Sequence, residues 1–301
     1  MLELIGLHRR FGDTVALDGV SFTVPSGALI GFVGRNGAGK TTAMRIAMGV
    51  LQADAGEVRF RGEPVGMLDH RRFGYMPEER GLYPRMRVLE QLAYLGRLHG
   101  LTKDDASARG RDLFARLQVE ASLTDRVEAL SLGNQQRVQL AAAMIHAPEV
   151  LVLDEPFSGL DPTGVDVLAD VLLEEARGRG VPVVFSSHQL DLVERLCDGV
   201  VLIDRGRIVA NGTIAALRRS RSRDLLQIDV AGAADRWWEV VPGAALEEQT
   251  PGGVVLALSK DADPQRLLDV ARAQGDVTHF ARVEKSLAEL FREFVDEDTA
   301  A

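Results

Sequence analysis

One segment, Gly34-Arg35-Asn36-Gly37-Ala38-Gly39-Lys40-Thr41-Thr42, constrains the fold of this chain more than any other feature. It contains the full pattern G-x-x-x-x-G-K-[ST], which forms a phosphate-binding loop where it connects a strand to a helix. An apolar run at residues 28–33 precedes it, and an apolar-rich segment at residues 42–51 follows it. The sequence therefore predicts a strand, a loop and a helix in this order, as part of an α/β fold.

The residue types of this loop suit a nucleoside triphosphate. The glycines let consecutive backbone N–H groups turn inward around a polyphosphate, and the following helix adds the positive end of its dipole. Lys40 can reach the β- and γ-phosphates, and the hydroxyl of Thr41 can bind Mg²⁺. A plain glycine-rich turn is the alternative, but four chemically required positions coincide. The predicted nucleotide-binding residues of the loop are Gly34, Asn36, Gly37, Ala38, Gly39, Lys40, Thr41 and Thr42.

Composition limits the class of protein and its partners. The 301 residues suggest about two domains, and 46% hydrophobic with 26% charged residues is typical of a globular protein. The net charge is −9 and the basic residues form no long run, so nucleic acid is not expected as a partner. The single cysteine, Cys197, excludes an internal disulfide and indicates a reducing compartment.

Hydropathy predicts where the chain is located. No run of about 18 apolar residues is present, and the N-terminus lacks the basic-then-apolar pattern of a signal peptide. We therefore expect a cytoplasmic chain whose role at a membrane, if it has one, depends on a partner.

Further segments predict a parallel sheet and a second domain. Apolar strands are expected at 150–153 and 182–185, a hairpin at 200–210, short strands within 2–24 and 57–61, and helices at about 78–147. An arginine-rich stretch predicts a linker at 218–224 between domains at 1–217 and 225–301. The second domain has an α+β pattern: strands at 225–230, 253–258 and 277–281, a helix at 264–273, and a last helix that begins with the capping box Ser286-x-x-Glu289.

Two carboxylates follow the apolar strand 150–153. Asp154 and Glu155 come at its C-terminal edge, where ligands bind in open α/β sheets. Asp154 fits the role of holding Mg²⁺, and Glu155 that of a general base that polarises an attacking water. An acidic strand end alone is a weak signal, but these acids follow a phosphate-binding loop.

Taken together, these motifs resemble the ATP-binding subunit of ABC transporters, of the bacterial export and drug-resistance type. The segment 130–138, LSLGNQQRV, is similar to the family signature, and 158–162, SGLDP, matches the D-loop. The segment Ser186-Ser187-His188 matches the switch histidine. The resemblance covers about residues 2–217 and implies a P-loop NTPase fold with a mixed, largely parallel sheet, an N-terminal antiparallel β-subdomain, an inserted helical subdomain and a small C-terminal α+β domain.

The resemblance implies a role for each matched residue. Two such domains pair head to tail, with ATP between the phosphate loop of one and the signature of the other, where Ser131 and Gly133 contact the γ-phosphate. His188 holds the γ-phosphate and the attacking water, and Asp161 joins the protomers. Phe11 stands where the family places an aromatic ring that stacks on adenine. The implied catalytic residues are Glu155 and His188, and the implied metal ligands are Thr41, Glu78 and Asp154.

Three positions depart from the family pattern. Leu132 and Asn134 replace a glycine and a glutamine in the signature, and Glu78 stands where the Q-loop usually has glutamine. Ser131 and Gly133 are retained, so we expect phosphate capture to persist. Glu78 can still ligate Mg²⁺, and we expect its charge to alter coupling to a membrane partner.

The resemblance implies ATP and Mg²⁺ as cofactors, a homodimer or a paralogous heterodimer, and a separate transmembrane permease that keeps the chain at the inner face of the cell membrane. Two alternatives remain open at this point. One is a soluble ABC-type ATPase that acts on DNA or ribosomes, and the other is a non-catalytic regulatory module. The cargo and the role of the C-terminal domain do not follow from the sequence.

Overall fold

Three β-sheets organise the residues that the computed structural model describes, which are 1–79, 81–221, 224–283 and 285–300. The chain divides into two units, Met1–Ile214 with the segment from Glu293 onward, and Ala215–Arg292. None of the described helices combines the length and the apolar character that crossing a lipid bilayer requires.

The first unit has two of the sheets and most of the helices. Its strands are β1 (Leu2–Phe11), β2 (Thr14–Val24), β3 (Leu29–Val33), β4 (Ala55–Phe60), β5 (Glu63–Pro64), β6 (Phe73–Met76), β7 (Val150–Leu153), β8 (Val183–Ser187), β9 (Gly199–Asp204) and β10 (Arg207–Gly212). Its helices are α1 (Lys40–Ala47), α2 (Val88–Leu98), α3 (Lys103–Arg116), α4 (Leu132–Met144), α5 (Pro162–Leu173) and α6 (Leu190–Leu196). Helices α2 to α4 lie within the predicted helical region.

A mixed sheet of six strands forms the centre of this unit, in the order β10-β9-β3-β8-β7-β6. Strands β9, β3, β8, β7 and β6 pair in parallel, and only β10 is antiparallel, as the hairpin partner of β9. Every residue of β3, β7, β8 and β9 is buried, which agrees with their continuous apolar sequences. The parallel sheet that the sequence predicts is confirmed.

The second sheet of this unit is antiparallel and has the order β2-β1-β4-β5. Strands β1 and β2 are long, and irregular register between Leu4 and Arg10 bends the pair. Their inward-facing side chains pack with the phosphate-loop helix and the central sheet into one apolar core. The sequence predicts short strands within 2–24; the structure instead has two strands that together span nearly all of this segment.

The second unit is an α+β fold with one antiparallel sheet of four strands, β11 (Asp224–Val230), β12 (Ala244–Thr250), β13 (Gly253–Leu258) and β14 (Val277–Arg282), in the order β12-β13-β11-β14. Its core contains Trp237 and Trp238, which both lie in a short 3₁₀ helix and pack against the sheet, so their place in a core is established. The remaining helices are α7 (Ile214–Arg221), α8 (Pro264–Gln274) and α9 (Leu287–Ala300), and α7 and α9 each include residues on both sides of a unit boundary.

The start of the last helix and the predicted linker between the domains can be compared with the structure. The predicted capping box is confirmed, because the backbone N–H of Ser286 donates to the carboxylate of Glu289 and the backbone N–H of Glu289 donates to the hydroxyl of Ser286. The predicted linker is partly helical, since α7 extends to Arg221. Residues 222 and 223 lie outside the described residues, and the domain limits 1–217 and 225–301 stay a prediction.

Two stacked histidines join the end of α2 to the end of α4. The rings of His99 and His146 lie 3.8 Å apart and nearly parallel. The Nε2 of His146 lies 3.2 Å from the carbonyl oxygen of Phe73, to which it donates, whereas its Nδ1 is buried without a partner among the described residues. Burial first, and then the neighbouring His99, lower the pKa of His146 from 6.5 to about 4. The native state therefore holds His146 neutral.

The neutral, half-buried His146 predicts a pH-dependent stability. Between about pH 6.5 and pH 4 the unfolded chain binds a proton at His146 that the native chain does not, so stability decreases as the pH falls through this window. From pH 7 to pH 5 we expect His146→Gln to become more stable relative to the parent by about 1–2 kcal/mol, measured by urea unfolding. The exposed His279→Gln is the control and should follow the parent. Parallel curves for parent and His146→Gln would contradict the assignment.

Candidate nucleotide-binding site

The candidate residues meet at one edge of the central sheet because the strands before them are parallel. Val33 pairs with Ser187, and Leu153 pairs with Phe185 on the other side of β8. Met76 in turn pairs with Leu153. The carboxyl ends of β3, β8, β7 and β6 therefore lie side by side, and the loops that follow them project from the same edge.

The phosphate-binding loop has the backbone that its sequence predicts. Gly39 precedes α1 with φ of 108°, which lies in the left-handed region and strongly favours glycine. A Cβ atom on Gly34 would lie 2.3 Å from the carbonyl oxygen of Ile203, so the loop approaches β9 too closely for a side chain. The ammonium of Lys40 is buried and donates to the carbonyl oxygens of Gly34, at 2.7 Å, and Arg35, at 3.3 Å. The lysine thus lies across the loop.

A cavity of about 410 Å³ brings together residues from three of these loops and from β2. It contains Lys40 and Thr41 from the phosphate-binding loop, Asp154 and Glu155 from the end of β7, and Glu78 from the loop after β6. The described residues that line it are Thr14, Val15, Ala16, Asn36, Gly37, Gly39, Lys40, Thr41, Thr42, Glu78, Asp154 and Glu155. The sequence analysis does not predict Thr14, Val15 and Ala16 as site residues. The feature that could have indicated them is the Gly12-Asp13 turn, after which the chain returns along β2.

The two carboxylates after β7 have different surroundings. Asp154 is buried, and its Oδ1 accepts a hydrogen bond of 2.5 Å from the hydroxyl of Ser186, while its Oδ2 has no partner among the described residues. The carboxylate of Glu155 lies 3.0 Å from Nδ1 of His188. The backbone of Glu155 has φ of 50°, which is unusual for a residue with a side chain.

Burial changes the acidity of Glu155. Desolvation raises the pKa of its carboxyl above the ordinary value, and the contact with His188 and the charge of Lys40 oppose this rise. A carboxylate with a raised pKa is a stronger base than an exposed one, provided that it remains ionised. Glu155 therefore has the environment expected of a residue that accepts a proton.

The signature segment begins helix α4. The hydroxyl of Ser131 accepts a hydrogen bond from the backbone N–H of Asn134, so Ser131 is the N-cap. Asn134 also pairs with the backbone of Glu120, accepting from its N–H at 3.1 Å and donating to its carbonyl oxygen at 3.0 Å. Leu132 is 59% exposed. Neither Ser131 nor Gly133 is among the described residues that line the cavity of Lys40.

Phe11 is also outside this cavity. It ends β1, pairs with Thr14 across the turn and is 47% exposed. The guanidinium of Arg9 lies over its ring, 4.8 Å from the centroid. Its neighbour across the turn, Thr14, does line the cavity. Arg9 thus covers part of the Phe11 ring, and the exposed remainder of this side chain is available for a further contact.

Comparison with families of known proteins agrees with this site. A family model described as ABC transporter matches residues 17–158, and a model described as the C-terminal domain of DrrA1-3-like ATP-binding proteins matches residues 212–295. The ABC transporter ATP-binding protein YhaQ of Bacillus subtilis is 35% identical over 295 residues, which are 98% of each chain.

Two further relatives have names that refer to resistance or export. The linearmycin resistance ATP-binding protein LnrL of Bacillus subtilis is 30% identical over 236 residues, covering 77% of this chain and 76% of LnrL. The Nod factor export ATP-binding protein I of Burkholderia lata is 36% identical over 222 residues, covering 73% of each chain.

Solved structures show the same fold. An ATP-binding subunit of an ABC transporter superimposes with a TM-score of 0.67 at 29% identity, covering 73% of this chain and 92% of that chain. The dimeric bacterial ABC transporter cassette MJ0796 has a TM-score of 0.65 at 20% identity, covering 71% of this chain and 99% of that chain. The fold class is therefore that of an ABC-type P-loop ATPase. This chain belongs to the family of ABC transporter ATP-binding proteins, and it is an ATPase.

Proposed function

We propose that this chain powers a separate membrane permease, as the ATP-hydrolysing subunit of an exporter, through ATP-driven closure of a dimer. The observation that carries the proposal is the cavity that holds Lys40, Thr41, Asp154 and Glu155 together. The names of the LnrL and Nod factor relatives, which refer to resistance and export, support the direction of transport.

In the proposed site the phosphate-binding loop holds the triphosphate of ATP. Lys40 exchanges its contacts with Gly34 and Arg35 for the β- and γ-phosphates, while the backbone N–H groups from Gly37 to Thr42 surround them. Phe11 is available to stack on the adenine, at the exposed end of β1.

The donors of the cavity fit Mg²⁺. Asp154 has a buried carboxylate oxygen without a partner among the described residues, and Thr41 and Glu78 line the same cavity. No group of three or more His, Cys, Asp or Glu side chains in the described part of the chain is arranged to hold a metal alone. This suits Mg²⁺, which takes one or two protein carboxylates together with phosphate oxygens. When bound, it neutralises charge that develops on the phosphates.

Glu155 and His188 act on the water that attacks the γ-phosphate. The Glu155 carboxylate orients the attacking water and accepts its proton. The water oxygen then bonds to the γ-phosphorus as the opposite bond, from that phosphorus to the bridging oxygen, breaks and ADP leaves. His188 lies 3.0 Å from this carboxylate and orients it, and a ring that is largely exposed remains available for the γ-phosphate. Because the side chain of Glu155 is only 12% exposed, water that does not take part in the reaction is partly excluded.

Ser131 and Gly133 complete the site of a second copy. They begin α4, where the backbone N–H groups and the helix dipole favour an anion, yet neither lines the cavity of their own chain. A dimer in which each signature segment faces the γ-phosphate bound by the partner accounts for both the anion-favouring start of α4 and its position outside the cavity of its own chain. The second copy is the same chain or a paralogue, and Asp161, the N-cap of α5, lies in the segment that then joins the protomers.

A groove beside the helical region supplies a surface for the permease. Tyr83 and Tyr94 line it with their rings 6.2 Å apart, together with Pro84, Met86, Arg85 and Glu128, and it encloses about 790 Å³. Tyr83 is 52% exposed, and it follows Glu78 by five positions in the sequence. Attachment there would keep the chain at the inner, cytoplasmic face of the membrane.

Replacement of Lys40 should remove nucleotide binding. Lys40→Ala leaves phosphate charge unpaired, so we expect affinity for ATP to fall about 10- to 100-fold. Fluorescence titration with a labelled ATP measures it. Lys103→Ala, which changes an exposed lysine at the start of α3, is the matched control. Equal affinities for the two variants would exclude Lys40 from the site.

Glu155→Gln should separate binding from hydrolysis. The amide cannot accept the proton, so we expect the ATPase rate to fall at least about 100-fold while ATP binding persists and a dimer accumulates. Phosphate release and size-exclusion chromatography with ATP give the two readouts. Glu63→Gln, in the exposed β5, should hydrolyse ATP at the parent's rate. A normal rate in Glu155→Gln would remove Glu155 from the role of base.

The proposed permease is tested by capture. Tagged Glu155→Gln with ATP should recover a polytopic membrane protein from solubilised membranes of the host, in about equal amount. The same protein with Tyr83→Ala and Tyr94→Ala should lose that partner, whereas Leu98→Ala, at an exposed position of α2 outside the groove, should keep it. Recovery of ribosomes or DNA without a membrane protein would favour a soluble ATPase instead.

A further inference from the structure

Ser186 connects the two acidic residues of the site. It lies near the end of β8, and none of its surface is exposed. Its hydroxyl donates to Oδ1 of Asp154 at 2.5 Å and accepts from the backbone N–H of Glu155 at 2.8 Å. One buried hydroxyl therefore contacts both residues, and it uses its single proton and one lone pair to do so.

The first of these contacts fixes the orientation of Asp154. With Oδ1 occupied by Ser186, the other oxygen, Oδ2, is buried and without a partner among the described residues, in a residue that lines the nucleotide cavity. Without the serine, the carboxylate could rotate and present either oxygen. The hydroxyl thus determines which oxygen is left for a ligand.

The second contact holds the backbone of Glu155. This residue has φ of 50°, a conformation that costs energy for a residue with a side chain and persists where neighbouring groups hold it. A hydrogen bond to its N–H supplies such a restraint. His188, two residues beyond Ser186, contacts the carboxylate of the same glutamate, so the end of β8 restrains both the backbone and the side chain of Glu155.

We propose that Ser186 is a positioning residue for ATP hydrolysis, which aims Asp154 at the metal and Glu155 at the attacking water. The inference rests on the roles proposed above for these two acids. Ser186 itself is not among the described residues that line the nucleotide cavity. Its effect passes through Asp154 and Glu155.

The adjacent serine provides a matched control. Ser187 is buried on the same strand, and its hydroxyl accepts from the backbone N–H of Gln189 rather than from an acidic residue of the site. Ser186→Ala and Ser187→Ala therefore remove the same atom from neighbouring buried positions. Only the first removes a contact to Asp154 and Glu155.

Three measurements on the full chain test the inference. In Ser186→Ala we expect ATP affinity without metal to match the parent, Mn²⁺ affinity in the presence of ATP to fall, and the single-turnover hydrolysis rate to fall, the last two by roughly 10- to 100-fold. Fluorescence titration in EDTA, electron paramagnetic resonance of Mn²⁺ and rapid quench give these values. Ser187→Ala should resemble the parent in all three.

A structural role predicts a different result. Loss of packing would lower the melting temperature and the active fraction, but not the Mn²⁺ affinity of the folded molecules. If Ser186→Ala does not fold, Ser186→Cys replaces the hydroxyl with a thiol that is a weaker donor and acceptor, and it should show the same losses.

The outcomes separate this inference from the proposed function. If the parent hydrolyses ATP, Glu155→Gln does not, and the variants of Ser186 match Ser187→Ala in rate and Mn²⁺ affinity, the inference about Ser186 is wrong and the function stands. A normal rate in Glu155→Gln would overturn both. Reduced rate and Mn²⁺ affinity in the variants of Ser186 alone would support both.

Discussion

The parallel pairing of β7 with β8 is the constraint on which the rest of the site depends. It places Leu153 beside Phe185, so that Asp154 comes next to Ser186 and Glu155 can reach His188. The pairing of β8 with β3 then brings the phosphate-binding loop to the same edge. A shift of one residue would turn alternate side chains to the opposite face of the sheet and separate these groups. Because both faces of β7 and β8 are buried, such a shift would also disrupt the packing of their side chains on each face, and the core therefore maintains the geometry of the site.

Much of this arrangement can be predicted from the sequence because local patterns determine it. The phosphate-binding loop follows from glycine and lysine spacing, and the parallel sheet from continuous apolar strands. The capping box of Ser286 and Glu289 and the strand at 253–258 were also correct, since their signals extend over a few residues only. The cavity that contains Lys40, Thr41, Glu78, Asp154 and Glu155 agrees with the predicted ligands, although their roles remain proposals.

What the sequence did not predict depends on contacts between distant residues. Strand β12 has mostly exposed side chains and a polar sequence, so its pairing with β13 leaves no alternating pattern to detect. The arginine-rich stretch was assigned to a linker from its polarity, but α7 extends into it. Ser186 contacts Glu155 and Asp154, which precede it in the sequence by 31 and 32 positions. A local signal is that Ser186 lies in an apolar strand, two residues before His188.

Other long-range contacts connect α4, which begins after Ser131, to the loops that contain Glu155 and Glu78. Three of its buried side chains donate to loop carbonyls: Gln136 to Glu155 and Pro156, Arg137 to Leu117 and Gln118, and Gln139 to Pro77 and Glu79. If α4 moved alone, these carbonyls would lose buried hydrogen bonds, each loss costing about 1–3 kcal/mol. The helix and the loops therefore move together more readily than apart. A force applied where Ser131 begins α4 thus reaches both Glu155 and the loop of Glu78 through hydrogen bonds.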